Sequence, residues 1–162
     1  MKKTMMILAL ALVLLLASNA MADNYYLDRS SLPADSEQTA HAAFAQQLPQ
    51  ATLTYSILDP DDGRFEWEIF FTNAGALGVC KVDAMTGAVI RVKEYTDLPA
   101  DALSADAAVE ALKAKKGNLT VLELDLERDD GRLVYEGEAE LDGRFYDFEM
   151  TVSGQIIEWE RD

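Results

Sequence analysis

The chain has one cysteine, Cys80, and one histidine, His41. A single cysteine excludes an internal disulfide, so without such staples the fold must rely on its hydrophobic core. Zinc sites draw on clusters of Cys and His, which this chain cannot supply. A Cys–His nucleophile pair would need Cys80 and His41 to meet, and nothing local brings them together. There is no Gly-rich phosphate loop and no Gly-x-Ser-x-Gly elbow. No nucleophile, base or metal set is legible, so an enzyme is disfavoured, and no catalytic residue, metal ligand or cofactor is assigned. Bases are scarce too, with 14 Lys and Arg against 29 Asp and Glu and a net charge of −15 at pH 7. That sign repels nucleic acid and anionic membrane surfaces and suits a basic partner.

Only one long apolar run exists, from Met5 to Ala17. It follows Lys2 and Lys3 and precedes Ala20-Met21-Ala22, which together predict a secretory signal peptide over 1–22. The run is short for a spanning helix, and none follows it, so no membrane span is expected after cleavage. No cysteine follows the cleavage site, which argues against a lipid anchor there. Cleavage removes two lysines and no acid, leaving a still more acidic chain. Residues 23–32 read as a loose leader. The expected location is secreted or periplasmic, in a bacterium.

The rest of the chain repeats. A shift of 68 places Ser36 on Ser104, Ala40 on Ala108 and Asp62-Gly63-Arg64 on Asp130-Gly131-Arg132. It also places Trp67 on Tyr135, Glu68 on Glu136 and Gly75 on Gly143. One unit is used twice, which predicts modules over 33–96 and 97–162. Each half would be marginal alone, so the two are expected to share a core or pack tightly.

Each copy opens with a helix. Ser36, an N-cap residue type, begins the first, with Ala40, Ala43, Phe44 and Leu48 at helical spacing and Pro49 as its stop. Ser104 begins the second, with its side chain expected to accept an orphan backbone N–H. Ala108, Val109, Ala111 and Leu112 form the apolar stripe and Gly117 the end. Strands follow. In copy two, Leu122, Leu124 and Leu126, then Leu133, Tyr135 and Ala139, then Tyr146, Phe148 and Met150, then Ile157 and Trp159 alternate with acids between Asp/Gly turns. That pattern signals a half-buried antiparallel meander. Copy one repeats it with Phe65, Trp67, Ile69 and Phe71. Its Leu53, Tyr55 and Ile57 run one residue out of phase, which implies a slip in the helix-to-strand link. The fold class is therefore α+β: two tandem modules, each a helix on a four-stranded antiparallel meander.

A helix followed by such a meander resembles the PepSY family. The resemblance is carried by Leu103-Ser104-Ala105-Asp106-Ala107-Ala108 and Asp130-Gly131-Arg132-Leu133-Val134-Tyr135-Glu136. Copy one adds Val82-Asp83-Ala84-Met85-Thr86-Gly87-Ala88-Val89, which follows the family's Val-Asp-Ala-x-Thr-Gly-x-Val ending. Copy two departs there, with Thr151 for Asp83 and one residue fewer in the turn. Copy one lacks the usual acidic helix start. The resemblance implies an exported bacterial protein of the kind found in metalloprotease propeptides and the cell envelope, and a peptidase-inhibitory role. The tandem arrangement is similar to that of β-lactamase inhibitory proteins.

The leading candidate surface is the acidic side of the copy-two meander. Glu123, Asp125, Glu136, Glu138, Glu140 and Glu149 fall there with Glu127, Asp147, Glu158 and Glu160. Residues 101–162 carry 17 acids and 7 bases against 9 and 4 in residues 33–96. Like charges across neighbouring strands are destabilising. A solvated face that blocks aggregation is the plain reading. A docking face for a basic secreted or envelope protein, a peptidase among the candidates, is the functional one, and an envelope ligand or cation sensor is the alternative. Phe70 stands where copy two has Glu138, and as an exposed aromatic it would join the partner-binding set with Leu77 and Val79 beside it. Asp59 to Gly63 lacks the Gly and Glu spacing of a calcium loop and reads as a hairpin turn. Cys80, Trp67 and Trp159 read as core, with pairing of Cys80 between two chains as the alternative for the thiol. The sequence leaves the oligomeric state open.

Overall fold

The computed structural model describes residues 29–61 and 63–162. The predicted signal peptide over 1–22 and most of the leader lie outside the described residues. Among the described residues no helix is long and apolar enough to cross a membrane.

A short 3-10 turn (Arg29–Ser31) leads into helix α1 (Ser36–Gln47), followed by strands β1 (Thr52–Asp61), β2 (Arg64–Asn73), β3 (Ala76–Asp83) and β4 (Val89–Tyr95). Helix α2 (Ala105–Lys116) then precedes β5 (Thr120–Val121), β6 (Asp125–Asp129), β7 (Arg132–Leu141), β8 (Arg144–Thr151) and β9 (Ile156–Arg161). The first four strands form an antiparallel sheet in chain order. In the second sheet, β5 and β6 both pair with β7, which continues to β8 and β9. The α+β class and the two helix-plus-sheet units agree with the sequence reading, except that one strand position of the second meander is split in two.

The split has a local cause. Leu122 and Glu123 both donate their N–H to the Glu138 carbonyl, at 2.8 and 3.2 Å, so two residues face one and the strand bulges. Opposite them Gly137 has φ +157, and a Cβ there would lie 2.0 Å from the Glu123 carbonyl oxygen. Only glycine allows this approach. Gly137→Ala should cost about 1–3 kcal/mol from backbone strain alone, and an equilibrium urea melt checks it. Copy one has its own irregularity at the equivalent place, between Leu53 and Tyr55. Both copies carry a break there, and Ile57 pairs with Glu68 as Asp125 pairs with Glu136, so the slip inferred from the sequence is not found: Tyr55 and Ile57 run out of phase with the leucines because they pack against the shared core.

The helix caps also depart from expectation. Asp35, not Ser36, is the N-cap of α1, and the Ser36 hydroxyl accepts a hydrogen bond from Trp67 Nε1 at 3.3 Å. Ser104 does cap α2, but its hydroxyl donates to Asp106 Oδ1 at 2.5 Å instead of accepting a backbone N–H. Gly117 ends α2 as expected, with φ +115. The Val-Asp-Ala-x-Thr-Gly-x-Val segment is a tied turn between β3 and β4. Asp83 Oδ1 accepts from the N–H of Met85 and from both the N–H and hydroxyl of Thr86, at 3.1, 2.7 and 2.8 Å. These donors favour the ionised carboxylate and hold Asp83 below its ordinary pKa.

The two sides of the first sheet are both covered. One side packs on α1 through Ala40, Phe44, Ile69, Phe71, Cys80 and Val82. The other side is where the second module sits. Phe70, Leu77, Val79 and Tyr95 share one cluster with Ala108 and Leu112 of α2 and with Tyr135, Phe148 and Met150 of the second sheet. The Tyr95 hydroxyl donates to the Leu126 carbonyl at 2.9 Å, fixing β4 to β6. The halves therefore share a core, as their small size requires. Phe70 is corrected by this packing: it is 1 % exposed, between Tyr55 and Tyr135 at ring-centroid distances of 6.3 and 6.5 Å. It is not available to a partner, and neither are Leu77 and Val79 at 5 % and 3 %. Period two gave the side of the sheet correctly but could not show that the second module covers it.

Candidate functional site

The equivalent side of the second sheet carries acids in rows. Strand register aligns Asp125 with Glu136, Glu136 with Glu149 and Glu149 with Glu158, giving four carboxylates across four strands. The next row aligns Glu138, Asp147 and Glu160. Glu140 lies one row further out, opposite Phe145. A shallow groove runs across the bulge, lined by Glu123, Glu136, Gly137, Glu138, Asp147, Phe148, Glu149 and Glu158. Five of the six carboxylates singled out from the sequence line it or stand in the row across it, and the sixth, Glu140, lies outside its lining.

These charges are poorly compensated. Among the described residues no lysine or arginine forms an ion pair with Glu136, Glu138, Glu149, Asp147, Glu158 or Glu160. Partial burial, then the nearby Glu127 and Asp125, push Glu136 up to about 7. Burial, then Asp59, Asp125 and Glu138, raise Glu123. Burial, then Asp147 and Asp162, raise Glu138. Glu149 Oε1 is buried with no hydrogen-bond partner. Each shift has the same two causes, burial first and neighbouring carboxylates second, and both disfavour the ionised form.

At the edge of this face the two modules meet through charge. Glu68 on β2, 1 % exposed, pairs with Lys81 on β3, whose Nζ also lies 3.7 Å from Asp125 on β6. Burial, then Asp125, push Glu68 up to about 8 against the pull of Lys81. Asp125 thus turns partly toward the first module. Glu66, also 1 % exposed, is held by Arg64 Nε at 2.5 Å. Sequence reasoning passed over the Glu68–Lys81 pair. A signal was present, because Lys81 occupies the place of Glu149 under the 68-residue shift.

Other chemistry has less support in the geometry. His41 Nε2 lies 3.1 Å from Ser56 Oγ, and that hydroxyl lies 3.4 Å from Glu37 Oε1. Glu37 approaches the same ring nitrogen, at 3.9 Å, so the three form a triangle. A catalytic relay needs the acid on the other nitrogen. Cys80 is fully buried, and burial pushes its thiol up to about 11, the behaviour of an inert core cysteine. Among the described residues no three acids, histidines or cysteines converge to hold a metal ion; the carboxylate rows run along the sheet instead of closing on a point.

A family model described as PepSY, the peptidase propeptide and YPEB domain, matches residues 36–93 and again 102–160. No curated protein matches the chain. Similar solved structures include a Clostridium difficile 630 protein assigned as a lipoprotein, 20 % identical over 78 % of this chain and 92 % of that one, with a TM-score of 0.42. A BLIP-like protein from Bacteroides fragilis is 14 % identical over 76 % and 84 %, with a TM-score of 0.29. The YpeB C-terminal domain of Bacillus megaterium is 16 % identical over 78 % and 63 %, with a TM-score of 0.32.

Proposed function

We propose that this chain, which belongs to the PepSY (peptidase propeptide and YPEB domain) family, is an exported binding module that docks a basic secreted or envelope protein on the open acidic face of its second sheet. A peptidase is the partner class that the family description favours, and modulation of that peptidase is the expected consequence. The observation that carries the reading is the pair of carboxylate rows, Asp125–Glu136–Glu149–Glu158 and Glu138–Asp147–Glu160, in which, among the described residues, only Asp125 at the module edge meets a cation, Lys81. Adjacent like charges lower stability, and a basic partner would relieve that cost on binding. Complementary charge would also speed encounter. A face kept acidic only to stay soluble needs net charge, not two in-register rows with a buried, unpartnered carboxylate oxygen.

Site-specific photocrosslinking in the exporting cell tests this. A photoreactive residue replaces Glu138 or Glu160 on the acidic face, and Gln38 or Gln46 on the exposed side of α1. Discrete adducts with an exported peptidase or envelope protein are expected from the two acidic-face positions. Adducts from α1 alone, or none from the face, would count against the docking surface.

A further inference from the structure

The repeat offers a template for how the open face is occupied, because the same face is already occupied once within the molecule. Strand registers in the two sheets coincide under the 68-residue shift, shortened to 67 in the last strand. The row Ile57–Glu68–Lys81–Arg91 in the first sheet answers to Asp125–Glu136–Glu149–Glu158 in the second. The row Phe70–Val79–Lys93 answers to Glu138–Asp147–Glu160. Leu77 answers to Phe145, opposite Thr72 and Glu140 respectively. In the first sheet this face receives the second module: Lys81 meets Asp125, and Leu77 and Phe70 enter the shared core. In the second sheet three of the cationic positions have become Glu149, Glu158 and Glu160. Phe145 is 46 % exposed where Leu77 is 5 %. Glu149, in the place of Lys81, has a buried oxygen without a hydrogen-bond partner.

We propose that the open face seats a lysine- or arginine-bearing segment of a partner protein in the place that the second module takes on the first sheet, with an apolar anchor on Phe145 and a cation on Glu149. Charge selects the segment's sign, since the occupant of the first face brings an acid to Lys81 and the second face is acidic at that point. Phe145 selects against a purely ionic ligand. This rests on the docking reading above and specifies its chemistry.

The test uses two synthetic probes titrated into the isotope-labelled chain at about 0.15 M salt, where long-range surface attraction is largely screened. One is an octalysine peptide. The other has the same charge with two leucines inserted. The leucine-bearing probe is expected to bind more tightly and to shift the amides of β7 and β8 around Glu136, Phe145 and Glu149. Phe145→Ser should weaken that probe about tenfold, the loss of one buried aromatic contact, and leave octalysine unchanged. Glu149→Gln should weaken both, while Glu110→Gln on α2 changes neither. Equal binding of the two probes, shifts spread over all the acidic surfaces, or indifference to Phe145→Ser would overturn the inference. So would self-association of the chain in sedimentation that Phe145→Ser abolishes, because the occupant would then be a second copy. If the acidic-face crosslinks persist while these peptide results fail, the seating is wrong and the docking face stands.

Discussion

Phe70→Ala should destabilise the protein by about 3–5 kcal/mol, the range for removing a fully buried aromatic side chain. Phe70 is 1 % exposed and bridges Tyr55 of the first sheet to Tyr135 of the second. Its loss opens a cavity where the modules meet, so the site cannot close without moving one module. Against a total stability of about 5–15 kcal/mol this is a large fraction. Phe145→Ala, at the solvated end of the equivalent face, should stay within about 0.5 kcal/mol. Urea melts of the two variants check the contrast, and a small effect at Phe70 would mean that the modules do not rely on that contact.

The second large effect concerns Glu68 and Lys81. Removing one partner of a buried pair costs about 3–5 kcal/mol when the other remains charged. Lys81→Met leaves Glu68 near Asp125 and Asp59 without the lysine that pairs it. Glu68 already titrates near 8 against an ordinary value of 4.5, because burial and Asp125 outweigh Lys81. A carboxyl raised on folding leaves full stability in place below its unfolded value, and that stability drains away as pH climbs through the folded one. The wild type should therefore weaken between about pH 4.5 and about pH 8, with Glu136 adding to the trend since it is raised to about 7. Lys81→Met should be tolerated near the acid end and show most of its cost at the alkaline end. The double variant Glu68→Leu with Lys81→Met should recover the loss or exceed the wild type by about 1–4 kcal/mol, as apolar replacements of buried pairs often do. Comparing Glu68→Gln with the wild type isolates this residue, because the acidic face contributes equally to both. Parallel stability–pH curves for those two proteins would rule out the role given to Glu68.

The repeat was the most legible feature of the sequence, and for a physical reason. Turn glycines and alternating apolar residues answer to local backbone geometry, so Asp130-Gly131, Asp142-Gly143 and the run Leu133, Tyr135, Ala139 identified their turn and strand without knowledge of the rest. The acidic side of the second meander was legible in the same way. What period two could not give was the neighbour across a face. Phe70 and Glu138 occupy equivalent places on equivalent strands, yet one is covered by the second module and the other borders an open groove. The apolar character of Tyr55, Phe70, Leu77 and Val79 together marked a covered face, and only pairing them as neighbours across strands makes that visible. The bulge at Leu122–Leu124 was hidden because the leucines there keep a regular alternation while the backbone does not. Gly137, in the strand opposite, was its one trace in the sequence.

The account turns on the second module serving as the cover of the first sheet. Residues 33–96 expressed alone, followed by far-ultraviolet circular dichroism during a urea titration, test this most directly. With Phe70, Leu77, Val79 and Tyr95 uncovered, the fragment should be unfolded or lose most of its cooperativity, and adding residues 97–162 in trans should restore a single transition. A fragment that folds alone with the midpoint it shows in the whole chain would contradict the shared core and, with it, the template drawn for the acidic face.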